Sequence, residues 1–554
     1  MRRLLFLLCV PAIAQVDLAG EWAPRFHEDQ PERIPGPEIG DYLGLPITEA
    51  ARLRADSWDA SLLTLPEHQC KPHPADYGPR GPANLRLWKE VDRDTQQTIA
   101  WHTHISWQAP ERTIWMDGRP HPGPFAPHTW QGFSTGEWAG DVLVVTTTHL
   151  KTGWIRRNGV PRSDQATLTE HWVRHGDGLT LVSIVHDPVY LSEPFVRSTD
   201  FEVDVHQRID PYPCEAVEEV PRVQGYVPHH LPGTNPFLKE FPAAHNLSGE
   251  SERGGAATMY PDRTAGAGRQ TIAPPALSAP VTTLAVQGNV HLLAGPLGNM
   301  AVQVGPEGML LVDAMAGEDV KAALQTLSKK PIRTIVNTSA GSAHTGGNEA
   351  LSAAGQTITG GNVAGANAAF PAAIVAHENV TARMTQAGAR DTAWPGNTYA
   401  SSHKDLFMNG EAAEVLHMPA AHSDADSVVF FRRSDVIATG EIFSPDRYPL
   451  LDVANGGSIN GEVAALNRLL DLTIPADKQE GGTMLIPAHG RVCDEADLLE
   501  YRDMVTIVRD RVQDMVKKRM TLQQVVAAKP TRDYDPLYGP GDAFVTAVFR
   551  SLTK

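Results

Sequence analysis

Cysteine is scarce here: four residues in a chain of 554. Cys9 lies inside an N-terminal apolar run, so three remain, enough for one pair and one leftover thiol. Basic charge is short as well. There are 48 Lys and Arg against 65 Asp and Glu, a formal net charge of -17. Such a surface repels a phosphate backbone, and nucleic acid is not an expected partner. Beyond the N-terminus no apolar stretch approaches the roughly 20 residues that cross a bilayer, so no transmembrane segment is expected. The chain also has no Gly-x-Ser-x-Gly elbow, no Gly-Lys-Ser/Thr phosphate loop, no His-Glu-x-x-His helix and no internal repeat.

What is present is ample for a folded core. Hydrophobic residues make up 42% and charged residues 20%, and the length suits two or three domains. The chain opens Met1-Arg-Arg, runs apolar from Leu4 to Val10 and reaches Ala12-Ile-Ala14. That pattern reads as a secretory signal peptide over 1–14, cut before Gln15. The expected location is periplasmic or extracellular. In an oxidising compartment Cys70 and Cys214 are a candidate disulfide, with two separate buried thiols as the alternative. Cys493 is then left over.

Residues 15–243 read as a β-rich domain, a barrel or a sandwich. Thr98–Trp107, Asp141–Thr148, Ala166–Val173 and Leu179–Val185 alternate with period two, and Asp117-Gly118, Asn158-Gly159 and Gly176-Asp-Gly178 supply turns. Gly20-Glu-Trp22 resembles the Gly-x-Trp opening of lipocalin-like barrels. Trp101, Trp107, Trp115, Trp130, Trp138 and Trp154 either pack the barrel or line a cleft for an apolar or carbohydrate ligand. Residues 244–282, rich in Gly, Ala and Ser with Pro274, Pro275 and Pro280, read as a flexible linker. From 283 to 515 strands alternate with helices. Leu284–Leu293, Met300–Val304 and Met309–Asp313 are expected strands, Glu318–Ser328 an expected helix and Arg333–Asn337 the next strand. Leu498, Leu499, Tyr501, Met504, Val505 and Val508 then recur at helical spacing, and 516–554 reads as a C-terminal helical tail.

Five landmarks stand in order within 283–515: Leu311-Val-Asp313, Asn337-Thr-Ser-Ala-Gly-Ser-Ala-His-Thr-Gly-Gly-Asn348, Ala421-His-Ser-Asp-Ala-Asp426, Thr439-Gly-Glu441 and Ile486-Pro-Ala-His-Gly490. Together they resemble the metallo-β-lactamase-fold (glyoxalase II-like) hydrolase superfamily. That resemblance implies an α+β domain layered αββα. In this family the second landmark reads Asn-Thr-His-x-His-x-Asp-His-Thr-Gly-Gly-Asn. Here Ser339 and Gly341 stand for the two leading histidines and Ala343 for the aspartate, leaving His344. The resemblance carries metal-ligand positions onto His344, His422, Glu441 and His489, with Glu441 in place of a bridging aspartate.

The family's first metal would keep His422 alone, and one imidazole does not hold zinc. The second would keep His344, His489 and Glu441, enough in principle for one Zn or Fe ion. Two readings stay open: a residual mononuclear site, or polar remnants bonded to one another with no ion. Loss of the Ala343 carboxylate and of the two-metal clamp argues against efficient hydrolysis by the family mechanism. The expected function is an exported binding or scaffold module with a degraded metal centre. The alternatives are a mononuclear hydrolase of an ester, thioester or lactam-like bond, and small-molecule binding by the N-terminal β domain. His102 and His104 share a strand face without an obvious third ligand, and His121, His128, His229 and His230 sit in Pro-rich loops.

Overall fold

The computed structural model describes residues 16–25, 37–80, 83–106, 108, 110–211, 213–247, 253–255, 281–357 and 370–554. The expected signal peptide, Trp107 and most of the expected linker lie outside the described residues.

Eleven strands are described in the N-terminal domain. They are β1 (Gly20–Pro24), β2 (Leu85–Val91), β3 (Thr98–Ile105), β4 (Arg112–Trp115), β5 (Phe133–Ala139), β6 (Val142–Thr148), β7 (Gly153–Arg156), β8 (Val160–Arg162), β9 (Thr167–His175), β10 (Gly178–His186) and β11 (Phe195–Val203). Nine close a barrel in the order β1-β11-β10-β9-β6-β5-β4-β3-β2, while β7 and β8 form a separate hairpin. The sandwich alternative is thereby replaced. Alternation sets the inward face: Leu143, Val145 and Thr147 on β6 and Leu168, Glu170 and Trp172 on β9 are all buried. Trp22, Trp101, Trp172, Leu181 and Phe201 fill the interior. Each fully buried large apolar side chain contributes about 1.5–3 kcal/mol relative to exposure. Inside the wall the Arg112 guanidinium donates to Glu170, to Ser134 Oγ at 3.0 Å and to Thr147 Oγ1 at 2.7 Å, so the buried charge is paired. The middle of the barrel is thus filled by side chains.

The C-terminal domain carries two sheets. One contains, in sequence and spatial order, β12 (Thr282–Gln287), β13 (Val290–Gly295), β14 (Gly298–Gly305), β15 (Gly308–Val312), β16 (Ile332–Val336), β17 (Ala373–His377) and β18 (Asn397–Tyr399). The other contains β19 (His403–Met408), β20 (Glu411–His417), β21 (Ser427–Phe431), β22 (Val436–Gly440) and β23 (Met484–Pro487). The sequence run Leu284–Leu293 is not one strand. Gly288, at φ +58°, turns the chain between β12 and β13, a conformation that suits glycine.

Three apolar layers hold this domain together. Leu292, Val312, Val415, Val429, Phe431 and Ile486 pack between the sheets. Leu311, Ile335 and Leu351 pack with Val320 and Leu324 of the helix Glu318–Leu327 on one outer face. Phe430 and Ile437 pack with the helices Ile459–Leu472 and Glu495–Lys517 on the other. Val525, Phe544, Val545 and Val548 join that last cluster, so residues 516–554 complete a core rather than trailing from it.

The two domains are docked by charge and by packing. His68 Nε2 lies 2.8 Å from Asp503 Oδ2. Arg502 reaches Glu67 at 3.0 Å. Lys151 Nζ donates to Asp494 and Asp497, and Arg491 donates to Asp164 at 2.9 Å. Leu537 packs on the cluster beneath the barrel, and the Phe125 carbonyl accepts from Val492 N. In the part of the 244–282 stretch that is described, Gly255 N donates to Leu45 O at 2.7 Å.

Candidate functional site

The motif loop leaves the C-terminal end of β16 and is clasped at both ends. The Asn337 and Asn348 amides exchange hydrogen bonds of 2.9 Å, and Asn337 Nδ2 also donates to His344 O at 2.8 Å. The Gly-Gly pair has a steric cause: a Cβ at Gly347 would stand 2.2 Å from Met315 O. The residues flanking the loop thus hold its two ends in place.

Asp313 follows β15 in the left-handed region, at φ 67°. Its Oδ1 accepts from Thr338 N at 2.8 Å, and its Oδ2 lies 2.8 Å from His344 Nδ1. On the opposite edge of the same imidazole, Nε2 lies 2.8 Å from Glu441 Oε1. Glu441 comes from the end of β22, where Gly440 (φ +57°) lets the chain pass Thr338; a Cβ there would lie 2.8 Å from Thr338 Oγ1. His489, on the turn after β23, approaches the same Glu441 oxygen at 3.7 Å. Asn299 holds that turn, its Nδ2 donating to Pro487 O and Gly490 O.

His344 is 2% exposed. Burial by itself would lower its pKa, but Asp313 and then Glu441 outweigh that and raise it well above the ordinary histidine value. Burial likewise opposes ionisation of Glu441, yet the bonds and charges of His344 and His489 hold its carboxyl well below the usual range. The His344 ring lies between two carboxylates. Each ring nitrogen has a carboxylate oxygen within hydrogen-bond distance.

His422 lies within electrostatic reach of Glu441 and His344 but bonds a different carboxylate. Its Nδ1 lies 3.2 Å from Asp426 Oδ1, and burial, which lowers its pKa, is outweighed by that bond and charge. Asp424, in the same loop, is taken by Arg383 at 2.6 Å. The structure therefore brings His344, Glu441 and His489 together and couples His422 to its own partner. Ser339 is buried beside the loop and Ala343 presents only a methyl. Among the described residues no group of three or more His, Cys, Asp or Glu side chains is arranged to hold a metal ion. Both His344 nitrogens and Glu441 Oε1 are engaged with one another or with Asp313, an arrangement in which they do not converge on an ion. Asp313 is the site residue that the sequence did not assign. Its signal was the strand ending in aspartate, which fixes a position but not a partner 31 residues away.

Other candidates disperse. His102 stacks on Trp88 and faces Glu90 and Glu111. His121 is held between Thr148 and Thr135, and His229 by the Val227 carbonyl. Cys70 and Cys214 form a disulfide with a Cα separation of 5.5 Å. Cys493 is buried, and burial pushes its thiol pKa well up, which suits packing rather than nucleophilic attack.

No protein-family model matches the chain, and no curated protein does either. Solved structures do. The chain is similar to the stereoselective inverting sec-alkylsulfatase Pisa1 from Pseudomonas sp. (TM-score 0.38, 16% identity, 49% of this chain and 50% of that one). It is also similar to a metallo-β-lactamase from Pontibacter korlensis (TM-score 0.33, 16% identity, 41% of this chain and 98% of that one). A third is the DIM-1 metallo-β-lactamase (TM-score 0.33, 16% identity, 41% and 97%). The chain thus spans half the length of the alkylsulfatase it matches.

Proposed function

We propose that residues 283–515 are a metallo-β-lactamase-like αββα module in which an imidazolium has taken over the charge role of a metal. In an intact binuclear site, cations hold the inward-facing carboxylates together. In this chain His344 performs that task, bonded at 2.8 Å to Asp313 on one side and at 2.8 Å to Glu441 on the other. That arrangement is the observation that carries the reading. It satisfies two buried carboxylates without an ion and leaves no water activated for attack. The module then works by binding or scaffolding, not by the binuclear hydrolysis its five landmarks resemble.

Export is part of the same proposal. The Met1–Ala14 pattern supports it, and a disulfide between Cys70 and Cys214 is chemically at home in an oxidising compartment. Fractionation of expressing cells, with the intact mass of the exported chain, tests it: a mass beginning at Gln15 is expected, and a cytoplasmic chain retaining Met1 would contradict it.

Elemental analysis of the purified protein, beside a His344→Ala/His489→Ala variant, tests the centre. The expected result is far less than one transition metal per chain in both, with no turnover of nitrocefin, a p-nitrophenyl ester or a thioester. About one metal per chain, lost in the variant, would overturn the reading and restore the mononuclear hydrolase.

A further inference from the structure

Beside the barrel, where it meets the C-terminal domain, lies a cavity of about 390 Å³. That volume lies within the range of small-molecule sites. Its walls come from places distant in sequence: Trp58 after the first helix, the loop around Cys70, Gln108, Trp130, the β7–β8 hairpin, and the helix Glu495–Lys517 through Glu500. Three indoles face it: Trp58, Trp130 and Trp154, each half-buried, with Tyr77 behind them. Trp58 and Trp154 meet edge to face at 6.1 Å.

The walls are preset. Gly159 of the β7–β8 turn sits so close to Trp58 that a Cβ would fall 2.5 Å from the indole's own Cβ. Ala75 N donates to Trp130 O, and His73 N to Gln108 O, which tie the aromatic loop to the disulfide-bearing one. His68 is committed to Asp503, and Glu500 faces Arg54 at 3.9 Å. Two cations in the lining have no such commitment. Among the described residues neither Lys71 nor Arg157 makes a hydrogen bond or a close ion pair, although the Lys71 charge acts on Asp503 and Glu495, and both are solvent-accessible. On a chain of net charge -17, Lys71 and Arg157 line an indole-walled cavity whose one lining carboxylate, Glu500, faces Arg54, so the lining itself is net positive.

We propose that this interdomain cavity is a binding site for a small anion carrying a flat apolar ring, such as an aromatic carboxylate, sulfonate or phosphate. The ring lies among Trp58, Trp130 and Trp154, and the anionic group is held by Lys71 and Arg157. This site is separate from the His344 cluster, and it stands whether or not that cluster hydrolyses anything.

The test is a fluorescence titration of the full chain with two matched probes, 1-anilinonaphthalene-8-sulfonate and its uncharged relative N-phenyl-1-naphthylamine, read also by energy transfer from tryptophan. One sulfonate site per chain is expected, tighter than the uncharged probe and weakened by salt. Lys71→Ala/Arg157→Ala should weaken the sulfonate about tenfold and leave the uncharged probe unchanged, as loss of charge-assisted bonds requires. Trp130→Ala should weaken both. Lys71 and Arg157 are surface-accessible, so the double variant serves even where a tryptophan variant unfolds. Equal affinity for the two probes, or sulfonate binding untouched by the double variant, would overturn the proposal.

Discussion

His344 and Glu441 are joined edge to edge, Nε2 to Oε1 at 2.8 Å, while the far nitrogen of the same ring meets Asp313 at the same distance. One ring therefore bridges two inward-facing carboxylates, of which Asp313 is 4% exposed. Removing the ring leaves both charges without their partner. His344→Ala is expected to cost about 3–5 kcal/mol of stability, the range for breaking a buried pair from one side. Urea unfolding monitored by circular dichroism measures it. A loss below about 1 kcal/mol would mean that water or the Thr338 hydroxyl replaces the imidazole.

The same triad sets a pH window. His344 has a folded pKa above its ordinary 6.5, so its contribution is complete below that value and is lost as pH rises through the folded one. Glu441 has a folded pKa below its ordinary 4.5, so its contribution is complete above that value and is lost as pH falls through the folded one. Between 4.5 and 6.5 both are in full force. Stability against pH should decline on both sides of that interval, and His344→Gln should flatten the alkaline limb specifically. An unchanged alkaline limb in that variant would show that His344 is neutral in the native state.

The alternating runs legible in the sequence became β3, β6, β9 and β10 of the barrel, because period-two patterning is dictated by which face is buried. The Leu284–Leu293 run misled because its apolar residues continue across Gly288, whose turn depends on packing against Ser434. At the site, residue identities gave the positions His344, Glu441 and His489 but not their protonation. That depends on Asp313, brought in from another strand. The aromatic cavity was legible only as a surplus of tryptophan. Trp101 and Trp138 belong to the barrel core and Trp130 and Trp154 to the cavity, a division that strand spacing does not encode.

The domain interface should be charge-locked at Lys151. Its Nζ is buried and donates to Asp494 Oδ1 at 2.7 Å and to Asp497 Oδ2 at 3.0 Å, across a sequence gap of more than 300 residues. Arg491 shares Asp497 and also reaches Asp164. Lys151→Ala is expected to cost about 1.5–3 kcal/mol, since it removes two charge-assisted bonds while Asp497 keeps Arg491 and Asp494 stays partly exposed. A double-mutant cycle with Asp494→Ala should show coupling above about 1 kcal/mol. Simple additivity would relocate the docking energy to the apolar contacts.

The Cys70–Cys214 bridge closes a loop over 144 residues and holds one wall of the indole-lined cavity. Cys70→Ala/Cys214→Ala is expected to lose about 2–5 kcal/mol by unfolding titration, and to do so without changing the stability response to metal chelators. If the double variant is as stable as the parent, the loop is held by the barrel contacts alone.

Glu462 is the reverse of Glu441. It lies on the helix Ile459–Leu472, wholly buried, with neither carboxyl oxygen hydrogen-bonded among the described residues. Burial, then the charges of Asp426 and Glu441, push its pKa well above the ordinary 4.5. A carboxyl with a raised folded pKa costs nothing below 4.5, and its penalty grows as pH climbs toward the folded value, because the unfolded chain releases a proton that the native chain keeps. Glu462→Leu, close in volume, removes both the unsatisfied group and that penalty. It should stabilise the protein by about 1–3 kcal/mol at pH 7.5 and by less at pH 4.5. Glu462→Gln, which keeps an unpaired amide in the same place, should recover only the pH-dependent part. Chemical denaturation at the two pH values separates these terms. A destabilised Glu462→Leu would indicate that the carboxyl holds a water beside the Tyr501 hydroxyl, which is buried without a protein partner as well.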